Sequence, residues 1–217
     1  MASFPTGFAE RTENLEGSIG QRGDAALVRM RERGFFVVTG LTEYFAGAVG
    51  IMGYQSHIRE YCPKDSTESR FGTLQSTEKW LQKGGGRGIF LLLRGQQGHN
   101  PQLEGYGWTG VEPCDSLPDH PITSAYRIGE RAQGQGLGKD FVQVVVSGTN
   151  ARYAPGEGIG LETWRSNSAA SLYPKVGFVL LAEAVKDELR PTLIPDAVDS
   201  KIVDRRVYMG YSSELLA

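Results

Sequence analysis

One short segment, GERAQGQGLGKDF at 129–141, carries glycine at three alternate positions, Gly134, Gly136 and Gly138. Because glycine has no Cβ, consecutive backbone N–H groups there can converge on an anion at distances that a side chain would obstruct. Arg131 and Lys139 flank the glycines with positive charge, and the apolar periodicity that follows predicts a helix beginning beside them. The segment therefore predicts a phosphate site, and a pyrophosphate would suit it.

Two familiar phosphate-binding loops do not match this segment. A Walker A loop requires glycine where Gln133 stands and a hydroxyl where Asp140 stands. A dinucleotide fingerprint that begins at Gly134 requires a further glycine where Lys139 stands, and one that begins two residues later fails at Phe141. The residues at these positions therefore exclude both a Walker A loop and a dinucleotide-binding fingerprint.

The pattern that remains, Arg-x-x-Gly-x-Gly at 131–136, resembles the pyrophosphate loop of the GCN5-related N-acetyltransferase (GNAT) family. A second segment, NSAASLYPKVGF at 167–178, resembles the Asn-x-x-Ala-x-x-x-Tyr motif of the same family. Asn167, Ala170 and Tyr173 occupy its positions, with one residue of difference in spacing. Two motifs in the family's order make the resemblance specific over about residues 122 to 180.

The resemblance implies an α/β (α+β) fold, with a mixed, mainly antiparallel central sheet, helices on both faces, and an acyl-CoA cleft between the fourth and fifth strands. Strand-like runs agree with this order, and we place them at 35–39, 89–93, 103–111, 123–130, 158–164, 178–185 and 202–212. Helices are predicted at 24–33, within 42–61, before the glycines at 84–86, from Leu137, and at 166–177. We expect an N-terminal extension with one helix at 1–34, followed by a GNAT acetyltransferase domain at 35–217.

The resemblance also implies acetyl-CoA as cosubstrate, with no metal. Ile128, at the end of the strand 123–130, would bond the pantetheine arm through its backbone. Asn167 would bond pantetheine from the next helix, although an N-terminal cap of that helix is an alternative role. The loop residues that would hold the pyrophosphate are Arg131, Gln133, Gly134, Gln135, Gly136, Leu137, Gly138 and Lys139.

Tyr173 is the predicted general acid, because a phenol within reach of the thioester can protonate the departing CoA thiolate. A tyrosine packed in the core is the alternative interpretation. Direct transfer needs no protein nucleophile, which agrees with the absence of a recognisably activated cysteine or serine. For the base that takes the proton of the amine, Glu112 at the end of the third strand is the leading candidate, with Glu130 and Glu162 behind it.

Composition and charge argue against nucleic-acid binding, membrane contact, a disulfide and a zinc site. The 217 residues suit one globular domain, and a net charge of −2 without a basic block argues against a general nucleic-acid binder. No apolar run approaches the roughly 20 residues that span a bilayer, so no membrane contact and a cytoplasmic location are expected. Cys62 and Cys114 are isolated and are expected to be reduced, and the three scattered histidines do not suggest a zinc site.

These observations favour an acetyl-CoA-dependent N-acetyltransferase that transfers acetyl directly to a primary amine. The alternatives are a non-catalytic acyl-CoA-binding sensor or regulatory module and, more weakly, a protein that binds ADP in the same loop. The sequence is compatible with several classes of acceptor: antibiotics, polyamines, amino acids, other small metabolites and protein amino groups. It does not decide whether the transferred acyl group is acetyl or larger. The last two strands suggest a possible homodimer.

Overall fold

The computed structural model describes residues 13–15, 17–66, 70–83, 87–96, 99–112, 114–153, 158–184, 188–191 and 201–211. Its helices are α1 (Gly20–Arg31), α2 (Glu43–Gly53), α3 (Ser56–Tyr61), α4 (Leu74–Leu81) and α5 (Leu137–Arg152). Its strands are β1 (Glu13–Asn14), β2 (Phe35–Thr39), β3 (Gly88–Gln96), β4 (His99–Val111), β5 (Ile122–Ile128), β6 (Ile159–Trp164), β7 (Val179–Glu183), β8 (Glu188–Pro191), β9 (Lys201–Asp204) and β10 (Arg206–Tyr211).

Eight strands form one sheet in the order β1-β2-β3-β4-β5-β6-β10-β7, and β8 pairs with β9 separately. Neighbours in the large sheet are antiparallel except β5 and β6. The parallel pairing joins Ile122 to Ile159 and Thr123 to Gly160 and then stops, although both strands continue, so β5 and β6 separate. These are the fourth and fifth strands of the predicted series, which the short β1 precedes. The predicted mixed sheet with its cleft is confirmed.

Helices cover both faces of the sheet. On one face α1 and α5 lie side by side, with Met30 and Phe141 fully buried against β-strand residues such as Leu92. On the other face α2, α3 and α4 bury Phe45 and Trp80 against the sheet. The sheet therefore separates two apolar cores, and the cleft between β5 and β6 has access to both sides.

The helix predicted in the segment 1–34 is present, but it begins at Gly20 and ends at Arg31. Gly34 follows it with a φ of 78°, a left-handed conformation that glycine adopts without strain and that ends the helix. Ala26 and Met30 of α1 belong to the core shared with α5, and Asn14 of β1 pairs with Val38. The described part of this segment is therefore packed onto the domain.

The predicted helix at 166–177 is replaced by two 3₁₀ turns, Ser168–Ser171 and Tyr173–Lys175. Pro174 explains the difference, because its ring excludes the carbonyl of the residue four positions earlier and it has no N–H to donate. Residues 114–121 form no helix or extended strand, and Leu117 within them is buried. The pair β8 and β9 was not predicted.

Candidate active site

A cavity of about 540 Å³ opens where β5 and β6 separate. The glycine segment, the start of α5 and the two 3₁₀ turns line one part of it, and the end of α3 lines another. Side chains of β5 and β6 form the walls between them. The cavity thus has a half formed largely by backbone around the glycines, which we call the loop half, and a half formed by side chains, which we call the side-chain half.

In the loop half, Gly134 and Gly136 have φ values of 72° and 70°, which only glycine adopts readily. Gly136 is the N-cap of α5, and no side chain caps this end of the helix. The first N–H groups of a helix have no partner within it, so those of α5 are available to a ligand. A left-handed turn before an uncapped sixteen-residue helix gives the backbone the geometry that suits an anion.

The opposite side of this loop is bound by α1 and by Arg33, which follows the end of α1 at Arg31. Arg33 donates from Nη1 to the carbonyl oxygen of Gly136 at 3.2 Å, and Arg29 donates from Nε and Nη2 to the Asp140 carboxylate at 2.9 and 2.7 Å. Because the C=O and the following N–H of a trans peptide point in opposite directions, bonding the Gly136 carbonyl turns the N–H of Leu137 away from Arg33. The N-terminal helix therefore fixes the orientation of the loop.

The cavity lining includes seven of the ten residues predicted to bind the cosubstrate: Ile128, Gln133, Gly134, Gly136, Leu137, Gly138 and Asn167. The other three do not line it. Arg131 lies 3.8 Å from the buried Glu104 carboxylate, Gln135 bonds the Arg131 carbonyl and Arg94, and Lys139 is exposed. The glycines of the segment therefore line the cavity, and the two cations that flank them, Arg131 and Lys139, lie outside the lining.

Asn167 and Ile128 already have partners within the protein. The Asn167 side chain accepts from the Ala169 N–H at 3.0 Å and donates to Thr163 Oγ1 at 3.2 Å, so the capping role is observed. The Ile128 carbonyl lies 2.9 Å from His57 Nε2 and accepts from Gln133 Nε2 at 3.4 Å. A ligand that bonded this carbonyl would replace those contacts.

Tyr173 lies in the cavity wall with 6% of its surface exposed, its ring packed between Tyr126 and Phe178. Among the described residues, none forms a hydrogen bond with its hydroxyl. Burial raises the pKa of Tyr173 to about 12, with Arg127 acting to lower it and Cys62 to raise it. The phenol is therefore protonated at neutral pH and can donate its proton to a ligand.

The structure does not bring Glu112 to the cavity. Glu112 follows β4 beside the paired end of β5, where its N–H donates to the Pro121 carbonyl and its carboxylate lies 3.3 Å from Arg87 Nη2. The β5 residues that line the cavity are Ser124 to Ile128, and Glu112 is not among the lining residues. Glu112 and Tyr173 therefore do not share a site.

Four residues of the side-chain half were missed or ranked low: His57, Cys62, Arg127 and Glu162. Glu162, on β6, is the only carboxylate among the described residues that line the cavity, and it is paired with Arg206. Burial raises the pKa of the Cys62 thiol to about 11, so the thiolate that a nucleophile requires is scarce at neutral pH. Cys62 and Cys114 are both free thiols, as expected.

Within the described ranges, no cluster of three or more histidine, cysteine, aspartate or glutamate residues could hold a metal ion. None of the helices described is long and apolar enough to cross a bilayer.

No family model and no curated protein sequence matches the chain. Solved structures do resemble it. A spermidine N-acetyltransferase from Vibrio cholerae, in complex with CoA and spermine, aligns with 84% of this chain and 99% of its own at 16% identity and a TM-score of 0.60.

A putative acetyltransferase from Salmonella typhimurium with acetyl-CoA aligns with 82% of this chain and 94% of its own, at 12% identity and a TM-score of 0.58. The enzyme AAC(6')-Ib, in complex with ribostamycin and coenzyme A, covers 83% of this chain and 95% of its own, at 17% identity and a TM-score of 0.56. The fold is that of N-acetyltransferases, as the motif resemblance implied.

Proposed function

We propose that this protein is an acetyl-CoA-dependent N-acetyltransferase that transfers the acetyl group directly to a primary amine. One observation carries the proposal. A single cavity joins an uncapped, glycine-rich helix N-terminus to a protonated, unpartnered tyrosine hydroxyl at the point where two parallel strands separate. The structural neighbours that contain CoA or acetyl-CoA support it through their shared fold.

The loop half suits the pyrophosphate of acetyl-CoA. The N–H groups between Gly134 and Gly138 supply donors without side chains in the way, and the α5 dipole adds favourable potential for an anion. The pantetheine arm would follow β5 from there, and Ile128 would exchange its contact with His57 for one with the ligand. This path leads the thioester from the loop half towards Tyr173.

In the reaction, the amine nitrogen forms a C–N bond with the thioester carbon and the C–S bond breaks. Tyr173 gives its proton to the departing sulfur, which leaves as the CoA thiol. The attacking nitrogen must lose one proton, and we assign its acceptor to Glu162 instead of Glu112, because only Glu162 is in the cavity. The high pKa of Cys62 agrees with a direct transfer that uses no acyl-enzyme.

A homodimer is a further part of this proposal. Val179, Leu180 and Leu181 are three consecutive apolar residues on β7, the edge strand of the large sheet, and each is exposed by 41% or more. An exposed apolar edge strand favours pairing with another chain. We expect a single dimer species by light scattering, and Leu180→Glu to shift it to monomer.

The test combines binding with turnover. Calorimetric titration with acetyl-CoA, CoA and ADP measures cosubstrate binding, and release of free thiol over a panel of primary amines measures transfer. Acetyl-CoA binding with amine-dependent thiol release supports the transferase. Binding without release across the panel would instead indicate the acyl-CoA sensor, and preferential binding of ADP without thioester cleavage would indicate a nucleotide-binding protein.

Tyr173→Phe sharpens the same test. We expect kcat to fall by about 100-fold or more, because a positioned general acid contributes that much, with little change in the acetyl-CoA Kd. Tyr211→Phe is the matched control, since Tyr211 is also a buried tyrosine of the same core but does not line the cavity. Equal kcat values for the two variants would show that Tyr173 packs in the core and is not the general acid.

A further inference from the structure

A buried cluster of charges adjoins the side-chain half of the cavity. Asp65 is fully buried and has three partners: Arg70 Nη1 at 2.6 Å, Arg127 Nε at 2.8 Å and the Tyr106 hydroxyl at 2.9 Å. Both oxygens of its carboxylate are used by these contacts. Burial, followed by the nearby Asp65 carboxylate, raises the pKa of Tyr106 well above its usual value, so this phenol is neutral.

The cluster therefore contains two guanidinium groups and one carboxylate, which gives it one excess positive charge among the described residues. Arg70 is stacked close to the rings of Trp80 and Trp108, at 4.9 and 5.4 Å, and it does not line the cavity. Its charge is stabilised by those aromatic faces. The excess charge that a ligand can reach is that of Arg127.

Arg127 has one nitrogen available. Its Nε binds Asp65 and its Nη1 donates to the Tyr126 carbonyl at 2.8 Å, while Nη2 has no hydrogen-bond partner in the described part of the chain. The side chain is 14% exposed, and the residue lines the cavity. The bonds at Nε and Nη1 hold the planar group in place, so its free edge is oriented before any ligand arrives.

Glu162 lies across the gap from this cation. Alternate residues of a strand face the same side, and Leu161 and Thr163 are buried while Glu162 is exposed. Arg127 on β5 reaches Asp65 beside α3, on the face opposite the core that contains Leu161. The side-chain half thus presents a positive group on one wall and a negative group on the other.

We propose that the acceptor amine carries an anionic group, a carboxylate or a phosphonate, and that Arg127 binds this anion while Glu162 receives the amine. The inference rests on the proposed acetyl transfer and adds the substrate class. An oriented guanidinium edge with excess charge binds a carboxylate or phosphonate oxygen through charge-assisted hydrogen bonds. Polyamines, which bring only positive charge, are disfavoured by the same excess charge.

The experiment compares amines in matched pairs that differ only in the anion. The pairs are phenylalanine with phenethylamine, methionine with 3-(methylthio)propylamine, alanine with ethylamine, and 2-aminoethylphosphonate also with ethylamine, with spermidine as a polycation. Binding of each is measured by calorimetry on the protein saturated with CoA, and kcat/KM is measured separately with acetyl-CoA. We expect the anionic member of at least one pair to bind about 10-fold more tightly or better, the scale of a hydrogen bond to a charged group.

Arg127→Gln should abolish this preference, and Arg70→Gln is the matched control. Both substitutions remove the excess charge of the cluster, but only the first removes the donor that faces the cavity, so the Arg70 variant should keep most of the preference. Thermal unfolding establishes that each variant is folded. Because the wild-type comparison needs no variant, an unfolded Arg127→Gln leaves the test intact.

The two proposals can fail separately. Equal binding within every pair, tighter binding of the uncharged amines or spermidine, or no binding of any anionic amine overturns the substrate class even when acetyl transfer is observed. Preferential binding of the anionic members to the CoA complex without thiol release supports the anion site and overturns the transferase. A preference that persists in Arg127→Gln shows that another group binds the anion and overturns the assignment.

Discussion

The two halves of the cavity differ in the groups that face a ligand, which are mainly backbone groups in the loop half and side chains in the side-chain half. The loop half is built around one continuous glycine segment whose backbone N–H groups are open to a ligand, so its proposed chemistry depends on conformation and little on side-chain identity. The side-chain half collects His57, Cys62, Arg127 and Glu162 from α3, the residue after it, β5 and β6. In the proposed function, the loop half would hold the cosubstrate and the side-chain half would select the acceptor.

The largest effect should come from the side-chain half. Glu162→Gln removes the carboxylate that the described lining of the cavity contains, and we expect kcat near neutral pH to fall by about 100-fold with the acetyl-CoA Kd unchanged. The defect should shrink as pH rises, because hydroxide can then take the proton that the attacking nitrogen loses. Steady-state rates with calorimetry of acetyl-CoA binding measure both.

Glu112→Gln is the control for that experiment, since Glu112 lies at the far end of β5 in contact with Arg87. A large loss of kcat in Glu112→Gln with normal rates in Glu162→Gln would contradict the assignment. A loss confined to His57→Gln would transfer the role to the imidazole that contacts Ile128.

In the loop half, the effect should be on binding. Gly136→Ala adds a methyl group to a residue with a φ of 70°, and we expect the acetyl-CoA Kd to rise about 10-fold, as for the loss of one charge-assisted hydrogen bond. Gly17→Ala is the matched control, because Gly17 has the same φ and nothing within 4 Å of an added Cβ, while at Gly136 an added Cβ meets only Arg33 Nη1 at 3.6 Å, an ordinary contact. Both should lose about 1 to 2 kcal/mol of stability to the left-handed backbone, measured by chemical denaturation. Equal acetyl-CoA affinity in the two variants would exclude the loop as the pyrophosphate site.

The difference between the two halves of the cavity explains which of the site residues could be predicted from the sequence. The loop half is contiguous, so its glycine spacing and the following helix were visible in one segment, and Tyr173 was found through a second motif at a fixed distance. The helix expected around Tyr173 was wrong because Pro174 divides it into two turns.

The side-chain half could not be found in this way. Glu112 and Glu162 both look like strand-end or strand residues, and only the topology shows that β5 and β6 separate at one end of the sheet and not at the other. Arg127 can be noticed in the sequence because it is a charged residue inside an otherwise uncharged strand, but its partner Asp65 is distant in sequence. Burial of that pair by α3 and the turn after it is a tertiary property.

A smaller effect tests how α1 supports the loop. Arg29 and Arg33 both pair with Asp140, but only Arg33 also bonds the Gly136 carbonyl. We therefore expect Arg33→Gln to raise the acetyl-CoA Kd about threefold, the scale of one ordinary hydrogen bond. Arg29→Gln should leave the Kd unchanged and lower the free energy of unfolding by about 0.5 to 1 kcal/mol, because the arginine is half exposed. An equal change of Kd in both variants would mean that α1 acts only through Asp140.

The last prediction is that kcat will not fall over a range of pH, and it concerns Tyr173 in the cavity wall. Tyr173 acts in its protonated form, and burial raises its pKa from 10 to about 12 despite the opposing effect of Arg127. Its ionisation should therefore cause no fall in kcat between pH 7 and pH 10, measured with saturating acetyl-CoA and amine. Because the pKa is higher in the folded state, the stabilisation is present below pH 10 and is lost as pH rises through about 12, so circular dichroism must accompany the rates. A descending limb centred below pH 10 in the folded protein would show that a group of lower pKa is the acid, and would remove Tyr173 from the junction of cosubstrate and acceptor.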